Sequence, residues 1–257
     1  MRQLLHTILF VLLGITLLSL MGFMVYEHGQ QPVKEIKIKI SKTENGGFLN
    51  QERIYSSIHE LNGMDTVRVS DFDEVLIENK LRQNPYIAHA DAYINIKGEL
   101  ILNIKEREAL LRIYLSDNSS FYMDHEGKLF PLCNWFTPRL LIANGYINAP
   151  EPEGLSSIQD STYAETALPE LYELAKNITS RPFLNSQISQ IYINSIGEYN
   201  LTPELGNHSI RLGQMDHLDK KLRNLETFYR KKLVREGWDK YEIINLMYTN
   251  QVVCTKK

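Results

Sequence analysis

The feature that most limits what this chain can become lies near its start. Residues 4–26 are 23 in number and carry no acidic or basic side chain apart from His6. As a helix rising about 1.5 Å per residue, such a run crosses a hydrocarbon core of roughly 30 Å. A cleaved leader would have a shorter apolar core and an Ala-x-Ala-like exit, but no alanine precedes Ala88. An acylated leader would need an early cysteine, and the two cysteines are Cys133 and Cys254. The expectation is a retained single-span anchor (4–26) behind a short tail (1–3). Charge leaves its orientation open: Arg2 favours an inside N-terminus, whereas Lys34, Lys37, Lys39 and Lys42 come after the span.

The remainder has the composition of a globular protein. Arg2 is the one charge before Glu27, so the rest carries 27 basic and 31 acidic side chains. That balance supplies no general affinity for phosphate backbones, and nucleic acid is not an expected partner. Cys133 and Cys254 read as two small buried hydrophobes rather than a pair.

Residues 33–40 alternate, with Ile36, Ile38 and Ile40 on one face and Lys37 and Lys39 on the other, the period of a half-buried strand. Asn50 is placed to cap a helix carrying Ile54, Ile58 and Leu61, which Asn62-Gly63 would end. Ser70-x-x-Asp73 has the form of a capping box, opening a helix with Phe72, Val75 and Leu76 on one face, then Ile77 and Leu81, before Pro85. Residues 86–96 and 100–107 read as strands joined at Gly98. The order is strand–helix–helix–strand–strand.

Short strands dominate the chain beyond residue 107: 110–115, 120–123, 128–132, 140–147, 188–193, 197–201 and 209–212. A loop at 149–161 and a helix at 164–178, its start adjusted to Pro169, interrupt them. The strongest helical pattern is Leu218, Leu222, Leu225, Tyr229 and Leu233, expected to be capped by Asp216 and stopped by Gly237. Its outer face bears Lys220, Lys221, Arg223, Lys231, Lys232 and Arg235, read as a solvated surface. Residues 241–248 and 251–255 read as a final strand and its continuation past a kink at Thr249-Asn250. Apolar and β-branched residues so close to the last position of the sequence are unusual, since such segments fray unless tied down.

No phosphate-binding loop, dinucleotide fingerprint, nucleophile elbow or H-E-x-x-H occurs. Asp124-His125-Glu126-Gly127 reads as a turn rather than a metal cluster. The expectation is a non-enzyme, with no catalytic residue, no metal and no cofactor.

Five stretches taken in order resemble the FtsQ/DivIB family of bacterial division proteins. LRQNPYIAHADAYINIKGELILNIKEREAL (81–110) carries Pro85, Tyr86, Ile87 and Ala90, and FYMDHEGKLFPL (121–132) carries Asp124, Gly127 and Phe130. LLIANGYI (140–147) is a looser likeness. IRLGQMDHLDKKLRNL (210–225) carries Leu212, Gly213, Asp216 and Lys221, and INLMYTNQVV (244–253) resembles the family's I-D-L-R-Y close. Glu108 stands where proline is usual, and Asn245 and Met247 replace an acid and an arginine, putting an ion pair there in doubt.

The resemblance implies an α+β chain: a transmembrane helix, a POTRA domain (33–107, β-α-α-β-β) and a mixed, mostly antiparallel β-domain with two helices (108–257). It implies a single-pass protein of the inner membrane with its bulk outside the cytoplasm, at the division septum, scaffolding without catalysis and without a small-molecule substrate. Partners would be FtsB/FtsL-like membrane proteins, docking by strand addition at Tyr248, Asn250, Gln251, Val252, Val253 and Cys254, with the 216–235 helix alongside. Two other classes stay open: a membrane-anchored periplasmic binding or sensor protein, and a POTRA-type envelope assembly factor.

Overall fold

The computed structural model describes residues 2–42, 46–59, 68–248 and 251–257. The expected helix stop at Asn62-Gly63, the stripe residue Leu61 and the kink at Thr249-Asn250 lie outside the described residues, as does Asn250 as a docking residue. The chain divides into two compact units, Met1–Lys42 with Leu49–Glu106, and Thr43–Phe48 with Arg107–Lys257.

The first unit opens with α1 (Arg2–Gln30), an apolar helix none of whose stretch from Ile8 to Gln30 is buried against protein. It continues through β1 (Glu35–Ser41), α2 (Gln51–His59), a 3-10 turn (Val69–Asp71), α3 (Glu74–Arg82), β2 (Ile87–Ile94) and β3 (Glu99–Glu106). The sheet order is β1-β3-β2, with β1 parallel to β3 and β2 antiparallel to it. Ile54 and Ile58 of α2 and Ile77 and Leu81 of α3 pack with Ala90, Leu100, Leu102 and Ile104 of the sheet. Asn50 caps α2 as expected, its Oδ1 accepting from the Arg53 N–H at 2.8 Å.

The start of α3 differs from expectation. Asp73, not Ser70, is the cap, its carboxylate accepting from the Leu76 N–H at 3.0 Å, and Ser70 sits in the preceding 3-10 turn. The helix therefore begins three residues later than a capping box would start it, and Phe72 precedes it. Ile77 and Leu81 point inward, while Val75 and Leu76 are 63% and 57% exposed.

The second unit is built on a ten-stranded sheet. Its strands are β4 (Ala109–Tyr114), β5 (Ser120–Asp124), β6 (Lys128–Pro131), β7 (Leu141–Gly145), β8 (Ser156–Ser157), β9 (Ile188–Ile193), β10 (Tyr199–Pro203), β11 (Ser209–Gly213), β12 (Tyr241–Asn245) and β13 (Val253–Lys256). They lie in the order β13-β12-β11-β10-β9-β7-β4-β5-β6-β8. The β4–β7, β7–β9 and β11–β12 pairs are parallel and the others antiparallel.

The helices are α4 (Leu168–Thr179), α5 (Pro182–Gln187), α6 (Leu218–Phe228) and α7 (Val234–Glu236), the last two joined through a π turn (Tyr229–Leu233). Leu171, Leu174 and Ile178 of α4 share one core with Leu222 and Leu225 of α6 and with Ile113, Ile191, Leu201 and Ile244 of the sheet. On β5 and β6, Tyr122 and Phe130 pack instead with Phe48 and Phe136, with ring centroids 5.0–5.8 Å from that of Phe48.

Two hairpins repeat one device. In Asn95-Ile-Lys-Gly-Glu99 the Asn95 Oδ1 accepts from the N–H groups of Lys97 and Glu99, and in Asn194-Ser-Ile-Gly-Glu198 Asn194 does the same for Ile196 and Glu198. Gly98 and Gly197 supply the positive φ, at 80° and 78°.

Candidate functional site: the last strand and the helix that backs it

The β11–α6 join is built around a buried lysine. The charge pattern puts Lys221 on the exposed basic face, but it is 1% exposed, and its Nζ donates to the Gln214 carbonyl and to Asp216 Oδ1, each at 2.8 Å. Asp216 therefore does not cap α6. The cap position is His217, at φ 51°, and the Asp216 carboxylate is held below its ordinary pKa by the Lys221 ammonium. Gly213, at φ 75°, completes the join: a Cβ there would lie 2.8 Å from Met247 Cγ. The other basic residues of the face are exposed, and two of them meet an acidic residue one turn away, in Asp219–Arg223 and Lys232–Glu236.

Where α6 widens into its π turn, Tyr229 is fully buried and its hydroxyl meets His208 Nε2 at 2.7 Å. Burial pushes the His208 pKa down, so that the ring is neutral among Tyr229 and Trp238. Gly237, at φ 90°, ends the helix. The Glu236 carboxylate then accepts from the Lys240 ammonium at 2.8 Å and from the Tyr241 hydroxyl at 2.6 Å. These contacts, Lys240 first, lower the Glu236 pKa to about 2, and the bond to Glu236 raises that of Tyr241 to about 12. The start of β12 is thereby tied to the end of α7.

β12 runs beside β11, and β13 folds back on it antiparallel. Asn245 closes β12 by accepting the Met247 N–H on its side-chain oxygen at 2.9 Å. Tyr248 and Gln251 belong to the connection, where the Gln251 N–H reaches the Tyr248 carbonyl at 3.3 Å, and Tyr248 is 54% exposed. Val252 and Cys254 pack against the core, whereas Val253 faces out. Cys254 lies within the electrostatic reach of Lys232 and Glu236, which places it on the α6–α7 side, and burial raises its thiol pKa. Cys133 and Cys254 are unpaired.

β13 is the outermost strand at its end of the sheet. The Lys257 N–H donates to the Lys240 carbonyl across the β12 pairing. Peptide groups alternate along a strand, so the N–H and C=O of Cys254 and Lys256 turn away from β12. Among the described residues this is a strand edge with open donors and acceptors, Val253 on one face and an anchored face on the other. Lys256 has no place in the sequence-based set because the alternating apolar pattern ends at Cys254.

Among the described residues, no group of three or more His, Cys, Asp or Glu side chains is placed to hold a metal ion. A protein-family model described as FtsQ/DivIB, C-terminal related, matches residues 108–255, more than half of the chain. The chain belongs to this FtsQ/DivIB family. No individual curated protein matches it.

The FtsQ/DivIB likeness acquires a physical account in these contacts. Asp124 accepts from the N–H groups of Glu126 and Lys128, each at 2.8 Å, while its other oxygen takes the buried Arg107 guanidinium. Gly127, at φ 74°, turns the hairpin and Phe130 fills the aromatic cluster. Leu212, Gly213, Asp216 and Lys221 form the lysine-centred join. At Asn245, where FtsQ/DivIB proteins carry an acid, an amide oxygen still caps the turn without an ion pair.

Proposed function

We propose that this FtsQ/DivIB-family chain is a non-catalytic, single-pass membrane scaffold of the bacterial division machinery. Its α1 would anchor it in the inner membrane, with the bulk of the chain outside the cytoplasm at the septum. Residues 33–107 would act as its POTRA domain and 108–257 as its partner-binding β-domain. The family is one of non-catalytic cell division proteins, and the apolar α1 supports anchoring. The recruited partners would be FtsB/FtsL-like membrane proteins, one of which adds a strand to the outer edge of β13.

One observation carries this reading: the outermost strand leaves the peptide groups of Cys254 and Lys256 open, while Val252 and Cys254 hold that strand on the core. Added strands gain affinity from main-chain hydrogen bonds and specificity from alternate side chains, here Val253 and Thr255. Neighbouring Tyr248 and Met247, both exposed, would widen the contact. The test is deletion of Gln251–Lys257 and then co-purification with an FtsB/FtsL-like pair, with folding monitored by circular dichroism. Loss of capture by a folded variant is expected, and undiminished capture refutes the edge assignment.

A further inference from the structure

We infer that the membrane-proximal end of the first unit is a second membrane contact, in which the β2–β3 hairpin tip and the first turn of α3 insert apolar side chains into the lipid interface. This rests on the reading of α1 as a retained span.

The geometry begins where the span ends. Tyr26 is the last residue of the uncharged run, and Gly29 lies about 5 Å further along the helix axis. The interfacial layer on each side of a bilayer is about 5–8 Å thick. At that level α1 meets the 3-10 turn: a Cβ at Gly29 would sit 3.5 Å from Ser70 Cβ, and Arg68 donates to the Gln30 side chain at 2.7 Å. The Val69 N–H also bonds to the Gln31 carbonyl at 3.0 Å. The turn therefore sits at headgroup depth. A shallow cleft continues from it, lined by Val69–Val75 and by Ile94 at the end of β2. Four residues after α1, the Lys34 N–H bonds to the Gly98 carbonyl at 2.9 Å, which ties the hairpin tip to the same end.

The side chains at this end are the wrong ones for water. Ile96 is 93% exposed at the tip, and Val75 and Leu76, in the first turn of α3, are more than half exposed. Folding does not explain Ile96: the turn is made by Asn95 and Gly98, and turn centres favour small polar residues or proline. Exposed apolar side chains on two elements of this end, tethered by a few residues to a helix in the bilayer, fit the lipid interface as their partner. Lys97 can extend its ammonium to phosphate while its stem stays with Ile96. Asp71, Asp73 and Glu74 rim the same cleft, so the contact is driven by apolar insertion and not by anionic lipid.

The test uses the full chain in nanodiscs of phosphatidylcholine and phosphatidylethanolamine, with an environment-sensitive fluorophore on Ile96→Cys in a Cys133→Ala, Cys254→Ser background. The control label is on Ser41→Cys, about 20 Å away along β1. A blue-shifted emission at position 96, quenched by brominated lipid and unchanged when phosphatidylglycerol replaces part of the phosphatidylcholine, is expected, with neither effect at position 41. Water-like emission at both positions in disc-bound protein overturns the insertion while leaving the anchor standing. Failure of the protein to remain with the discs overturns both. Where the cysteine replacements impair folding, a fluorescent amino acid placed at 96 by codon suppression gives the same readout with the native cysteines.

Discussion

Lys221 shows how a single residue can be misjudged from its position in a pattern. It lies among cations on a helix, where charge ordinarily means solvent, yet it is almost wholly buried because Asp216 and the Gln214 carbonyl turn back over it. Those partners come from a non-helical join whose path no periodicity describes. His208 is the companion case, a lone histidine with no spacing to mark it, buried against Tyr229 and Trp238. Its folded pKa lies below the ordinary value of 6.5, so between the two values the unfolded chain binds more protons and stability rises with pH. Acidification from about pH 7.5 through about pH 6 should therefore lower the melting temperature of the natural chain, and the loss should level off below the folded pKa. A His208→Gln variant should be less stable at neutral pH but should lose this slope, as thermal melts across the range will record.

Among the elements, strands and long helices were legible and short or irregular ones were not. Alternation located most strands of both units to within a residue or two, and the four-three-four-four stripe located α6. The six-residue α5, the two-residue β8 and the π turn carry too few residues to impose a period. The residues of the candidate edge were visible as an apolar tail, but which of them face inward depended on the antiparallel return onto β12. That return yields an expectation at the scale of the strand. Lys256→Pro removes a donor that points away from β12, and proline is tolerated on such an edge, so folding should persist while partner capture falls. Thr255→Pro removes a donor directed at β12 and should release the strand itself. Hydrogen exchange of β12 together with partner capture separates the two: slow exchange with weak capture for the first, fast exchange with weak capture for the second.

At the scale of the whole molecule, the apolar helix was the most legible feature and the grouping of Phe48 with the second unit the least. The stretch ending at Phe48 comes after β1 in sequence but groups with the second unit, where its ring meets Tyr122, Phe130 and Phe136. Such an assignment depends on contacts across more than 70 positions, beyond any local signal. As an anchor, α1 should hold the full 29.8 kDa chain in the carbonate-washed membrane fraction. Deleting residues 2–26 should move the protein to the soluble fraction with its circular dichroism otherwise retained, whereas removal of a cleaved leader would leave a smaller soluble mature chain in cells.

The strand order of the large sheet also has a mechanical consequence. The chain passes from the first unit into the second at Arg107, next to β4 and near the middle of the sheet, while the outer strand at the far end is β13. Tension between a partner strand on that edge and the bilayer would cross the β4–β7, β7–β9, β9–β10, β10–β11, β11–β12 and β12–β13 pairs in series. Three of these pairs, β4–β7, β10–β11 and β11–β12, hold only three residues in register, one fewer than β12–β13. The load path would therefore be narrowest inside the sheet and not at its outer strand, so the core packed on those strands, and not the edge pairing alone, would set how firmly the sheet holds a partner.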